Sequence, residues 1–278
     1  SRWAQLGAFF PFYRNHNGKN FIGQEFYQWP EVESAAKVAL HIRYLLLPYF
    51  YTLLQQAHTS GETVLRALVW EFPELATAEI DGQFMVGSSL LVTPVLEKGA
   101  SSVEGIFPGE DTIWYDWYRQ TKVEQPFNQK VSIDAPMGHI PVYIRGGRIL
   151  PLQQPGYTTA ERREGDWYLI AALDLNGKAS GELYVDDGES IESPSKTISL
   201  SVANGKLVSN VSGEFEIRQN LAQITVLGVT TRPTTVTWNG KATHFKYNED
   251  IQSLKIFNTG ESTSELQALN ESLDIEWV

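Results

Sequence analysis

The sequence predicts a mixed fold: a helical N-terminal segment ending in a strand, then two all-β segments built as sandwiches. Three observations predict it. Apolar residues recur at helical spacing across residues 30 to 60, a continuous apolar run follows, and from about residue 83 short period-two or apolar stretches are punctuated by Gly, Pro, Asp and Asn.

The helical stretch reads "PEVESAAKVALHIRYLLLPYFYTLLQQAHTSG", with Val32, Ala35, Ala36, Ala39, Ile42, Leu46, Leu53 and Leu54 at helical spacing. Pro30 suits a first turn, where no N–H is needed, and Glu31 and Glu33 complement the positive end of the helix dipole. Pro48 should divide the segment and Gly61 should end it, which predicts two consecutive helices.

Next comes "VLRALVWEFP", which reads as a strand buried on both faces, of the kind found in parallel sheets. A parallel strand needs crossover-linked neighbours that this chain does not supply, so an upstream portion is expected. The opening "SRWAQLGAFF" agrees: it has no initiator Met and no signal peptide, and an apolar face is already under way, as in a chain entered in the middle.

The first β segment carries "QFMVGSSLLVTPVL", "IWYDWY", "KVSIDA" and "IPVYIRGGRILPL". The second, smaller one carries "YLIAALDL", "SGELYVDDGES", "TISLSVANGKLVSNVSGEFEIR", "QITVLGV", "TTVTWNG" and "SLKIF", with "NG" at 176, 204 and 239 as hairpin signals. The boundaries are placed at 1–73, 74–152 and 153–278.

The 278 residues, 42% apolar and 12% aromatic, suffice for about two cored domains. A net charge of −11, from 33 acidic and 22 basic residues, argues against nucleic acid or an anionic membrane surface as partner. No apolar stretch approaches the roughly 20 residues of a membrane span. With no cysteine, disulfides and thiolate metal sites are excluded. Asn210-Val211-Ser212 and Asn270-Glu271-Ser272 are glycosylation triplets, usable if the chain is secreted.

No phosphate loop, HExxH helix or Gly-x-Ser-x-Gly elbow occurs. His41, His58, His139 and His244 form no evident ligand pair, so neither a metal nor another cofactor is expected. In "YVDDGES", Asp186 to Glu189 resemble a cation cluster, but a turn with Gly188 at positive φ and the carboxylates in water is favoured. Trp114, Tyr115, Trp117 and Tyr118 suggest a sugar-stacking platform, yet alternation assigns at least half of them to core. In "FFPFYRNHN", the phenylalanines read as packing. Arg14, Asn15 and His16 form a polar set before the loop glycine, open to a structural or a ligand-binding reading.

The runs "RWAQLGAFFPFYRNHN", "IRYLLLPYFYTLLQQAHTSGETVLRALVWEFP", "QFMVGSSLLVTPVL", "GHIPVYIRGGRILPLQ", "GELYVDDGES" and "ITVLGV" resemble, in order and over essentially the whole chain, the C-terminal part of glycoside hydrolase family 31 α-glucosidases, nearest the eukaryotic, including fungal, members. The resemblance implies the C-terminal part of a (β/α)8 TIM barrel in residues 1–73, then two all-β sandwich domains, with the "PFYRNHN" loop at the barrel mouth. It further implies that His16 hydrogen-bonds sugar hydroxyls in the cleavage subsite, donating from one ring nitrogen and accepting at the other, with Arg14 supporting the loop.

Retaining glycosidases need two carboxyl groups roughly 5 Å apart. The family carries its pair in motifs upstream of this stretch, and neither occurs here; Glu25 lies near His16 but matches no catalytic motif. The resemblance therefore implies no catalytic residue in this chain, inactivity of the chain alone, and a partner: the N-terminal chain of a processed enzyme, bearing the nucleophile and acid/base Asp residues. A truncated barrel would expose apolar faces that such a partner covers. The expected activity is a secreted, exo-acting α-glucosidase acting on maltose and malto-oligosaccharides, with glucosyl transfer as a further outcome. The alternatives are a non-catalytic carbohydrate-binding or scaffold polypeptide and another family 31 enzyme such as an α-xylosidase.

Overall fold

The helices follow the local signals. α1 (Arg2–Gly7) is short; α2 (Pro30–Leu45) and α3 (Leu47–Ser60) are the two helices expected on either side of the proline break. Pro30 opens α2, with Glu31 and Glu33 in its first turn, and Pro48 sits in the first turn of α3, where its missing N–H costs no helical bond. Gly61 caps α3 in the left-handed conformation at φ 75°, and its N–H returns to the Ala57 carbonyl. Ala35, Ala36, Ala39 and Ile42 form the buried stripe of α2. No helix among the described residues is long and apolar enough to cross a membrane.

The structure, a computed structural model, describes residues 1–73 and 79–278; the expected boundary at 73/74 abuts residues 74–78, outside the described residues. The chain divides into two units. One takes Ser1–Arg43, Thr63–Glu110 and Glu124–Tyr143; the other takes Tyr44–Glu62, Asp111–Val123 and Ile144–Val278.

In the first unit, β1 (Leu65–Ala67), β2 (Phe84–Val86) and β3 (Leu90–Val92) form an antiparallel ladder, with Leu65 opposite Val86 and Met85 opposite Leu91. A separate pair joins Ser102–Gly105 to Val131–Asp134. The run "VLRALVWEFP" is thus not one doubly buried parallel strand. Its strand is three residues long, half-buried to exposed, and pairs antiparallel before a helix, Leu68–Glu71, takes over. Arg66 explains the switch: its guanidinium pairs with Glu71 at 2.5 Å, with side chains only 9% and 10% exposed. Desolvated charges of this kind must find each other, and folding five residues back into a turn lets them do so.

The second unit holds an eleven-stranded sheet among the described residues. In spatial order its strands are 241–242, 236–238, 274–277, 206–213, 196–203, 179–185, 148–153, 167–172, 221–227, 253–257 and 245–248. Its core gathers Leu183, Ile198, Leu207, Ile224, Ile256 and Ile275, all essentially inaccessible to solvent. Alternation is clear along Lys196–Ala203, where buried residues mostly take every second position.

Asn204 and Asn239 adopt positive φ, as do the glycines that follow them, and each pair turns a hairpin as expected. The third Asn-Gly does not. Trp167–Ala172 and Ala179–Val185, on either side of Asn176-Gly177, are not paired with each other, because strand Arg148–Gln153 lies between them. That strand comes from the end of the first expected β segment and seats itself among strands of the second.

Candidate functional site

The stretch after α1 builds a loop in the first unit. Phe9 is completely buried, and Phe10 tilts against the ring of Phe84 at 5.8 Å. They form the packed base expected of the phenylalanines; Phe12 is an exception, standing in solvent beyond the turn. Tyr13 folds back, its hydroxyl donating to the Ala4 carbonyl at 3.0 Å, and burial pushes that phenol above its usual range against the pull of Arg43.

Beyond Tyr13 the "RNHN" residues divide by parity. Asn15 Nδ2 donates to the Gln24 carbonyl at 2.7 Å, and Asn17 Nδ2 donates to the Ile22 carbonyl. The two asparagines thereby fasten the outgoing limb of the loop to its return limb. Asn17 Oδ1 also accepts from the Gly18 N–H at 2.8 Å, and Asn20 takes a positive φ of 79° at the tip. Arg14 and His16, the other two, meet each other: Arg14 Nη2 lies 3.3 Å from His16 Nδ1, and both are exposed.

A guanidinium can only donate, so Nδ1 is the acceptor and the imidazole proton resides on Nε2. With Nδ1 taken by Arg14, His16 keeps an N–H donor at Nε2, whereas an imidazole without that contact would offer a donor and an acceptor. Arg14 decides this by occupying the accepting nitrogen. The roles of Asn15 and Asn17 as staples were not legible in sequence; the only hint was that two short amides flank His16 in a segment about to turn.

Glu25 lies on the return limb. Its carboxyl is held below the usual carboxylate range by its own backbone N–H and by the side chain of Gln28, 3.2 Å away. A group so held is ionised near neutrality and unsuited to protonating a leaving group.

The remaining candidates lie elsewhere. His41 and His58 are exposed on α2 and α3, His139 is half-buried in the first unit, and His244 is exposed in the second, its ring 5.3 Å from that of Phe257. Among the described residues, no group of three or more His, Asp or Glu is placed to hold a metal ion. Trp114, Tyr115 and Trp117 are all buried, and Tyr115 spends its hydroxyl on the Leu173 carbonyl at 2.8 Å, so the aromatic cluster is core rather than a platform.

Gly188 has the expected positive φ of 70°, but Asp186 is not in open water. It accepts from the Tyr51 and Tyr184 hydroxyls at 2.8 and 3.0 Å and from the Gly188 N–H. Asp187 and Glu189 are exposed as expected, and the side chain of Ser190 and the N–H groups of Glu189 and Ser190 hold the Asp187 carboxyl down to about 2. Of the two glycosylation triplets, Asn210 points outward from a strand, whereas Asn270 accepts from Lys196 and the Ile217 N–H and donates Nδ2 to the Ile217 carbonyl at 2.6 Å.

The loop displays a histidine and an arginine in contact, and among the described residues no carboxylate pair of the kind a retaining glycosidase needs is found beside it. Comparison with known proteins gives the class. Residues 1–53 match the Glycosyl hydrolases family 31 TIM-barrel domain, and residues 61–150 match the Glycosyl hydrolase family 31 C-terminal domain. The chain belongs to glycoside hydrolase family 31.

An alpha-glucosidase of Aspergillus niger is 52% identical over 87% of this chain, and Glucoamylase 1 of Schwanniomyces occidentalis is 45% identical over all of it. Among solved structures, a glucosidase II alpha subunit superposes with a TM-score of 0.87 at 26% identity over the full chain. A GH31 alpha-xylosidase from Xanthomonas citri, at a TM-score of 0.69 and 23% identity over 81% of the chain, shares the fold. The chain spans 25% and 29% of the length of the two fungal relatives and 32% of the glucosidase II subunit.

Proposed function

We propose that this chain is the C-terminal part of a retaining, exo-acting α-glucosidase that releases glucose from the non-reducing ends of maltose-like oligosaccharides, and that His16 donates a hydrogen bond to the sugar. The observation that carries the reading is the Arg14–His16 pair, which leaves a protonated Nε2 on an exposed loop within the stretch that matches the barrel domain. The naming of the fungal relatives supports the activity.

The catalytic carboxylates belong, in this reading, to an N-terminal chain or segment of the same enzyme. Large apolar residues of the first unit stand in solvent, among them Trp3 at 81% and Phe21 at 76% exposure, with Phe12, Ile22 and Trp70. In this reading the missing part of the barrel covers them. Two β-sandwich domains within 74–152 and 153–278, secretion and proteolytic processing belong to the same proposal.

The test is His16→Ala in the assembled enzyme. Losing one hydrogen bond that tightens in the transition state should lower kcat/KM on maltose about 10- to 100-fold. Mass analysis of the native material should still find the larger, carboxylate-bearing chain. An unchanged rate would show that His16 does not touch the sugar; a lone folded chain of 31.3 kDa would remove the partner.

A further inference from the structure

We infer that Arg43 is a positioning residue for the His16 loop, an inference that rests on the proposed role of His16. Arg43 lies in the last turn of α2, 35 positions before which the chain leaves α1 at Ala8. Its Nη1 donates to the carbonyls of Ala8 at 2.8 Å and Phe10 at 2.5 Å, and its Nη2 donates to that of Pro11 at 3.1 Å. The guanidinium carbon also stands 5.6 Å from the centre of the Tyr13 ring.

The last carbonyls of α1 are met by the chain itself, Leu6 accepting from the Phe9 N–H at 3.1 Å and Gly7 from the Phe10 N–H at 3.0 Å. The carbonyls of Ala8, Phe10 and Pro11 lie past that turn, where the chain runs on without joining a strand, and these are the ones Arg43 takes. A planar guanidinium with several N–H groups in fixed directions can span three such carbonyls at once, which a lysine ammonium on a flexible stem does less well. Tyr13 completes the clamp. Its ring lies beneath the cation, its hydroxyl is tied to Ala4, and Gly7 has no side chain because a Cβ there would come within 2.5 Å of Tyr13 Cε2.

The result is a fixed departure point for the limb that begins at Arg14. Two residues later stands His16, which has no burial of its own to hold it; its position is set by the Arg14 contact, the asparagine staples and this clamp. In this inference Arg43 acts through the loop, not on the sugar.

The experiment is a double-mutant cycle in the assembled enzyme on maltose, with R43M, which keeps the volume but no donors, and H16A. Through-loop positioning predicts that R43M lowers kcat/KM about 10- to 100-fold, the scale of an ångström-sized misplacement. In the H16A background R43M should add less than about 3-fold, because the residue it positions is gone. R43K should fall between, and hydrogen exchange in the peptide spanning 9–24 should rise in both Arg43 variants. If R43M does not assemble, R43K carries the same cycle. Additive effects of Arg43 and His16 substitutions, or unchanged exchange in the loop, would overturn the inference while leaving the His16 reading intact. H16A without effect would instead remove that reading.

Discussion

Replacing Asp186 should loosen α3 from the sheet of the second unit. The carboxylate gathers Tyr51 of α3 at 2.8 Å, Tyr184 of the strand Ala179–Val185 at 3.0 Å, and the Gly188 N–H at 2.8 Å. The same helix and strand are joined by the Tyr184 N–H donating to Thr52 Oγ1 and by Gln56 donating to Glu182, each at 3.0 Å. A hydrogen bond to a charged group contributes roughly 1.5–3 kcal/mol when desolvated. Asp186, Tyr51 and Tyr184 are only half-buried, so water recovers much of this, and Asp186→Ala should cost about 2–4 kcal/mol in total.

Tyr51→Phe should cost about 1 kcal/mol, and the Tyr51→Phe/Asp186→Ala cycle should couple by about 1 kcal/mol. Urea unfolding followed by tryptophan fluorescence measures all three. The pH dependence gives an independent check. Burial first, then the Asp186 hydrogen bond, pushes the Tyr51 phenol from 10.0 up to about 12. A pKa raised on folding means stability that is intact below pH 10 and lost as the pH climbs towards 12. Asp186→Ala should flatten part of that loss. A variant within about 0.5 kcal/mol of the parent, with no coupling to Tyr51, would refute the bridging role.

Two further outcomes are expected. Glu265 closes the capping box of the short helix Thr263–Leu266 and is held down to about 2, chiefly by Lys241 and then by the N–H groups of Ser262 and Glu261. Its contribution should be complete above pH 4.5 and disappear as the pH falls towards 2, so the gap in unfolding midpoint between the parent and Glu265→Gln should close over that window; a gap constant from pH 7 to 2.5 would contradict it. Expressed in a secretory host, the protein should carry a glycan at Asn210 and none at Asn270, because the Asn270 amide is held at both ends, Oδ1 by Lys196 and the Ile217 N–H and Nδ2 by the Ile217 carbonyl; peptide mapping that finds the reverse would sink this.

Features set within a few residues were legible in advance. The break at Pro48, the cap at Gly61 and the hairpins at Asn204 and Asn239 depend on fixed φ, a missing N–H or tolerance of positive φ, and these travel with the residue type. "VLRALVWEFP" misled because an apolar run does not reveal that Arg66 must reach Glu71. Asn176-Gly177 misled because a turn signal specifies a reversal but not which strand comes to lie alongside. Asp186 misled for the same reason: Tyr51, one of its donors, lies 135 positions away.

At the site, the resemblance singled out His16 and Arg14, since a four-residue motif is carried intact in the sequence. The motif alone did not reveal that Arg14 takes Nδ1, that the asparagines lock the loop, or that Arg43 holds its base. By itself, then, the sequence determined α2 and α3, two of the three Asn-Gly hairpins and the family, because propensity and motif are local properties. The tertiary structure alone decided the strand order, the tyrosine that Asp186 meets on α3 and the carbonyls that Arg43 holds at the base of the loop, because each depends on groups that meet only when distant stretches of chain pack together.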